Sequence, residues 1–363
     1  MSATEVDVLV IGAGQAGLSA GYHLRRRRFG LPQEEGGAGN VAGTFLIVDA
    51  NPGPGGAWQH RWDSLTMATV NNIYDLPGMP QKDMPDEAIA REVLTEYFAE
   101  FEEKFQLRVL RPLKAVSVEN LPDRRILTRL DNGEEIISRF LINATGTWTH
   151  PHIPYYPGME RFQGRYVHTQ TYLGPQDFVG ERVGIVGVGI SATQHLAEIS
   201  RVAQTWWFTR HKPDFREEGF NGHDAVALVE ERVREGYSPL SVVSVTGLRM
   251  TPMLRDAQAR GALVDRPMFS SIDETGVIMP DGEHIDLDTI VWATGFKAEL
   301  GHLVPLNLRN DKGGITMDPP QVAGDPRLFL VGYGPSASTV GANRAGRDAV
   351  IRITRQLRAQ ERG

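Results

Sequence analysis

Short apolar runs that end at small-residue turns recur along the chain, each followed by a stretch with helical spacing. Residues 6–11 (VDVLVI) are a β-branched run, the pattern of a parallel strand buried on both faces. The run stops at glycines, and an amphipathic stretch then predicts a helix over 16–27. Residues 30–44 break the pattern, with EEGGAGNVAG reading as a surface loop. A second apolar run, FLIVDA, carries Asp49 at its end. The same order returns in RVGIVGVGISATQHLAEIS (182–200): strand, glycine turn and a helix to about Ser200. The strand TWWFTR follows and ends at Arg210. Later, LDNGEEIISRFLINATG (130–146) and MPDGEHIDLDTIVWATG (279–295) align without a gap at an offset of 149 residues. Each is a hairpin turn, Asn132-Gly133 or Asp281-Gly282, leading to an apolar strand that ends in Ala-Thr-Gly.

The turns carry the chemistry. Gly12, Gly14 and Gly17, with Gln15 between them, stand in G-x-G-x-x-G spacing. Gly187, Gly189 and Ala192, with Ser191 between, repeat it as G-x-G-x-x-A. Such a turn lets a dinucleotide pyrophosphate meet backbone N–H groups at a helix N-terminus. Asp49 is placed to bind a ribose hydroxyl, the 30–44 loop accounting for its long interval from the glycines. After the second turn no acid occupies that place. Arg210, His211 and Lys212 stand there instead, cations that can meet a 2′-phosphate and so favour, or at least admit, NADP. Two cradles predict two dinucleotides: FAD in the first, and NADPH and/or NADH in the second.

The fold class expected is therefore α/β, with two Rossmann-like dinucleotide-binding domains, one inserted in the other. Residues 1–170 and 290–363 form the FAD domain, and 171–289 the NAD(P)H domain. The small residues Ala144, Thr145 and Gly146, and again Ala293, Thr294 and Gly295, allow close backbone approach where the chain passes between domains. In PGPGGAWQHRWDSL, Gly56 and Trp58 suggest a loop against a flat cofactor, with Trp58 as its wall. Gln59, His60 or Arg61 could reach its phosphates or ribityl oxygens.

Composition narrows the chemistry. The 363 residues carry a net charge of −7, which offers nucleic acid no encouragement. Arg25–Arg28 reads as a solvated helix end. There is no cysteine, so disulfides, thiolate nucleophiles and redox C-x-x-C pairs are excluded. No metal site is expected. No run approaches the ~20 apolar residues of a membrane span, and residues 1–6 are too short for a secretory signal. A cytoplasmic protein with no membrane partner is expected.

RFQGRYVHTQTY (161–172) places Phe162, Gly164, His168 and Tyr172 in F-x-G-x-x-x-H-x-x-x-Y spacing. With both glycine turns, Gly55-Gly56-Ala57-Trp58 and the terminal WATGF, the sequence resembles the flavin-containing monooxygenases. It is most similar to their short bacterial members and related to the Baeyer–Villiger monooxygenases. The resemblance implies the architecture of pyridine-nucleotide-disulfide oxidoreductases. It also implies a reaction in which NAD(P)H reduces FAD and dioxygen adds at C4a. The resulting hydroperoxide would oxygenate sulfides, amines or, as the anion, ketones. The partners implied are a small-molecule substrate and dioxygen, with a homodimer as the assembly to test.

Within the family the signature lies at the joint between domains, so His168 is a positioning and hinge residue, with Gln170 bordering the nicotinamide path. Ser64 and Leu65 correspond to the Ser-Leu beside the flavin. The asparagine that usually follows is displaced here, leaving Asn72 as its candidate. The last helix would point its N-terminus, around Thr339–Ala342 and including Gly341, at the flavin pyrimidine. The shortness of the chain implies an open site with loose substrate choice. The alternative is a reductase passing electrons to a protein or quinone acceptor, against which the 162–172 signature stands; Tyr333 after Gly332, where disulfide reductases place an aspartate, argues against the disulfide-reductase branch.

Overall fold

The computed structural model describes residues 3–32, 42–70, 73–217, 222–240 and 247–360. The run at 6–11 lies in the strand Thr4–Ile11, at the centre of the first sheet. Val8 and Val10 face one side, with Phe45, Ile47, Leu18, Val350 and Ile353. Leu9 and Ile11 face the other, with Leu46, Val48, Leu141 and Leu330. Burial on both faces explains why the run is apolar throughout rather than alternating.

Parallel strands Val109–Leu110, Gly43–Val48, Thr4–Ile11, Glu135–Asn143 and Asp325–Leu330 lie side by side in that order. A second sheet has the parallel order Asp265–Pro267, Gln204–Thr209, Arg182–Val186, Thr289–Trp292 and Arg165–His168. The plans are the same. In each, the strand before the glycine turn is central, and the strand ending in Ala-Thr-Gly lies beside it. Each sheet also carries an antiparallel meander, Ala115–Asn120 with Ile126–Leu130 in the first, and Ser271–Ile272, Gly276–Ile278 and His284–Asp286 by the second.

The repeated segments differ in one respect. Glu135–Asn143 runs unbroken, whereas its counterpart splits into His284–Asp286 and Thr289–Trp292. Asp288 causes the break: its carboxylate accepts the Arg182 backbone N–H at 2.8 Å and the guanidinium at 2.7 Å. The second sheet also reaches beyond 171–289 at both ends, because Arg165–His168 and Thr289–Trp292 pair within it. His168 thus ends an edge strand of that sheet.

The helices fall close to expectation, at Gln15–Arg26, Ile190–Ile199 and Thr339–Gln360. The first and last touch closely: a Cβ on Gly346 would lie 2.9 Å from the Ala20 nitrogen. Trp62, Leu65 and Leu94 share a buried cluster with Tyr172, Ile185, Leu196 and Val291, so the segment after the Gly-Gly-Ala-Trp loop is packed onto the second sheet. Among the described residues, no helix is long and apolar enough to cross a membrane.

Candidate active site

The two glycine turns are built alike. Gly12 has φ +100°, and a Cβ there would come 2.4 Å from the Ala144 carbonyl oxygen. Gly187 has φ +134°, and its Cβ would come 2.3 Å from the Ala293 oxygen. Each first glycine therefore lets its turn press on the Ala-Thr-Gly of the neighbouring strand. A Cβ on Gly17 would sit 1.8 Å from the Gly12 oxygen, while Ala192 is accommodated at the matching place. The second helix stands off by a methyl group, which is why alanine suffices there. Gly14 and Gly189 are the N-caps of their helices, and neither helix has a side-chain cap. Nothing lies within 4 Å of a Cβ on Gly189, and one on Gly14 would meet only the Gly56 Cα, at 4.0 Å. Uncapped N–H groups facing open space fit a dinucleotide pyrophosphate.

Asp49 is buried at the end of its strand, accepting the Ala13 N–H at 2.5 Å and the Asn51 N–H at 2.7 Å. The acid thereby braces the first glycine turn. The Gly-Gly-Ala-Trp loop lies directly on that turn, since a Cβ on Gly56 would meet the Gly14 Cα at 2.8 Å. Trp58 is half-buried above it. Gln59 is spent within its own loop, donating to the Gly53 carbonyl at 2.8 Å. Ser64 and Leu65 have protein partners of their own. The Ser64 hydroxyl donates to Glu198 at 2.6 Å, and Leu65 is packed in the core. Their short chain segment is drawn to the second sheet by Trp62 and Leu65 themselves.

At the other end of the first cradle, a strap at residues 73–76 joins the first and last helices. Gln15 donates to the Tyr74 carbonyl at 3.2 Å and to Asn343 Oδ1 at 3.0 Å. The Tyr74 N–H donates to Thr339 Oγ1 at 3.2 Å, and Asn343 donates to the Asp75 carbonyl at 2.7 Å. Gln15 and Thr339 thus both bond to the Tyr74 backbone. Gly341 is closely packed: its N–H donates to Ser338 Oγ at 3.1 Å, and a Cβ there would lie 2.7 Å from the Pro335 oxygen. Asn71 and Asn72 lie outside the described residues.

The two Ala-Thr-Gly ends converge at the joint. Trp148, just after the first, stacks on Phe296, just after the second, with ring centroids 5.0 Å apart at 24°. His168 meets Phe296 edge-on at 5.0 Å. Its Nε2–H donates to the Gly295 carbonyl at 3.1 Å, and its Nδ1 accepts the Gln170 N–H at 3.1 Å. Both nitrogens are engaged by backbone, and burial lowers the pKa, keeping the ring neutral. Gln170 donates to the Trp148 carbonyl at 2.7 Å, Thr145 to the Glu299 carbonyl at 2.7 Å, and Thr294 to the His152 carbonyl. Arg210, His211 and Lys212 are exposed just past the strand Gln204–Thr209. Trp207 is buried and donates its indole N–H to the Gly187 carbonyl at 2.7 Å, holding the second turn from behind.

Sequence reasoning missed three things. Glu198 accepts from Ser64 and, at 2.8 Å, from Tyr172, which makes it the polar knot of the joint. Burial is the first cause of its raised pKa, opposed by those two hydroxyl donors. Asn343 anchors the strap. Trp148 and Phe296 each stand within two residues of an Ala-Thr-Gly, but only folding stacks them.

Paired cradles with a shared aromatic joint define a two-nucleotide oxidoreductase. The chain matches, over residues 59–213, the family described as Flavin-binding monooxygenase-like. It is 34% identical to a flavin-containing monooxygenase from Stenotrophomonas maltophilia, covering 97% of this chain and 99% of that one with a TM-score of 0.80. It is 25% identical over 317 residues to an uncharacterized CzcO-like oxidoreductase of Geobacillus kaustophilus, 85% of either chain. The fold is also that of cyclohexanone monooxygenase from Rhodococcus sp. Phi1 bound to NADP+, with a TM-score of 0.63 at 18% identity, covering 99% and 85%. The chain belongs to the flavin-containing monooxygenase family and is a flavin-dependent oxidoreductase.

Proposed function

We propose that the first cradle holds FAD, the second holds NADPH, and the chain oxygenates soft nucleophiles such as sulfides and amines, with ketones as a further class. The observation that carries this reading is the convergence of two uncapped glycine turns on one aromatic joint. When bound, the flavin supplies hydride acceptance from the nicotinamide and activation of dioxygen at C4a. The chain supplies position and shelter. Helix N-termini at Gly14 and Gly189 hold the diphosphates. Asp49, braced against Ala13, borders the adenosine ribose of the first site. Exposed Arg210, His211 and Lys212 take the 2′-phosphate of the second.

Gln15, Thr339 and Asn343 fix the strap over the reactive end. His168 acts as a positioning residue, tying the second sheet's edge strand to Gly295. We assign 1–164 and 293–363 to the FAD domain and the stretch between to the nicotinamide domain. Trp148, Phe296 and Trp58 exclude water where the two rings meet, which limits loss of the activated oxygen as hydrogen peroxide. No protein nucleophile enters the reaction.

A coupled assay tests the reading. Purified holoprotein is given NADPH or NADH with an aryl methyl sulfide, and sulfoxide and hydrogen peroxide are both quantified. Sulfoxide in proportion to nucleotide consumed is expected. Peroxide alone across several sulfides and ketones would replace the reading with that of a reductase.

A further inference from the structure

We propose that Arg61 is the anion-binding residue of the substrate cleft, and that the substrate is a small carboxylate with a flat apolar body. The guanidinium carbon lies 4.3 Å from the ring centroid of Trp148, 5.3 Å from that of Trp58 and 6.0 Å from that of Trp62. Its Nε is buried without a hydrogen-bond partner, and among the described residues no carboxylate pairs with it. Burial brings its pKa down to about 10, which leaves it cationic at neutral pH.

A half-buried cation without a counter-ion carries a desolvation cost, and contact with aromatic faces offsets only part of it. An anion that enters with a ligand completes the balance. Arg61 lowers the pKa of His60 and His195, both held below the usual histidine range by burial first, with Asp49 acting against it at His60. Neither can serve as its counter-ion.

The anions that two dinucleotides bring have other donors. Their diphosphates face the uncapped helices at Gly14 and Gly189, and a 2′-phosphate faces Arg210, His211 and Lys212. Arg61 remains for a third ligand. Trp148 stands where the two Ala-Thr-Gly ends meet, so an anion on Arg61 lies in the joint between the two cradles, and the indoles flank it with flat apolar surface. A planar carboxylate matches the guanidinium fork and the ring faces together. This inference rests on the proposed function for where the substrate enters, and it adds the substrate's charge.

Calorimetric titration of the oxidised holoprotein with 4-(methylthio)benzoate and with its methyl ester tests the inference, for the natural chain and for Arg61→Met and Arg61→Lys. The natural chain is expected to bind the acid about tenfold or more tightly than the ester. Arg61→Met should erase that preference, and Arg61→Lys should keep part of it. Flavin content and NADP+ affinity should be unchanged in both. Equal binding of acid and ester by the natural chain overturns the inference, whether or not the variants fold. So does loss of flavin or of NADP+ affinity in a variant that still prefers the acid, because the cation then serves a nucleotide. A charge preference that follows Arg61 while neither sulfide yields sulfoxide would support this inference and sink the monooxygenase reading, so the two fail separately.

Discussion

At Gly14 and Gly189 an added methyl would enter open space, the nearest heavy atom to a Cβ on Gly14 being 4.0 Å away. Their φ values, −80° and −91°, suit any residue. Gly12 and Gly187 are different, since alanine there strains the backbone and strikes a carbonyl. The residues that report on nucleotide alone are therefore the middle glycines. Gly189→Ala is expected to raise the Michaelis constant for NADPH about tenfold or more by displacing a charge-assisted hydrogen bond. Its flavin content and melting temperature should stay unchanged. Gly14→Ala should instead lower the flavin absorbance per protein. Arg210 is argued in the same way: Arg210→Ala should weaken NADPH by about tenfold and NADH little. Steady-state kinetics with both nucleotides separate these cases, and equal effects on the two would remove Arg210 from the 2′-phosphate.

Three elements meet at Glu198. Ser64 comes from the loop that follows the first cradle, Tyr172 from just beyond the strand Arg165–His168, and Glu198 from the helix Ile190–Ile199. The Ser64 bond ties the loop after the first cradle to the second domain, and the Tyr172 bond fixes the carboxylate within that domain. Tyr172→Phe takes a donor from a buried carboxylate, a loss of about 1–3 kcal/mol. Urea unfolding of the holoprotein should show it as a lower midpoint with an unchanged slope, while an unchanged midpoint would mean that the joint does not depend on this knot. Tyr172 stood out in the sequence as part of the 162–172 spacing. Glu198 did not, because one glutamate on an amphipathic helix looks solvated until Ser64 and Tyr172 are packed over it.

Across the whole molecule, buried histidines set the response to acid. Burial lowers the pKa of His195 to about 3, and of His23 and His302 to about 4. Unfolded, each binds its proton near the ordinary 6.5, so between 6.5 and 4 the unfolded chain holds more protons than the folded one. Their stabilising contribution is present above 6.5 and is lost as the pH falls, by up to about 1.4 kcal/mol per pH unit for each. Glu198 works in the opposite sense: its raised pKa makes ionisation above 4.5 costly in the fold. Three groups outweigh one, so melting temperature should drop steeply between pH 6.5 and 4. His302→Gln, which can still reach the Asn143 side chain, should flatten that drop. A melting temperature constant across the window would remove the histidines as its cause.

The strands, both glycine turns, the helices and the doubled Ala-Thr-Gly plan were determined by the sequence alone. They rest on local rules: apolar runs buried on two faces, and glycines where a side chain would strike a neighbouring carbonyl. Tertiary structure decided the rest of the site. It bonded Ser64 to Glu198, buried Leu65 and tied Gln59 to the Gly53 carbonyl, because the segment around Trp62 packs in one cluster with the second sheet. It also caged Arg61 among tryptophans at 58, 62 and 148 and stacked Trp148 on Phe296. Contacts between residues so far apart depend on how two sheets dock, and no periodicity along the chain encodes that.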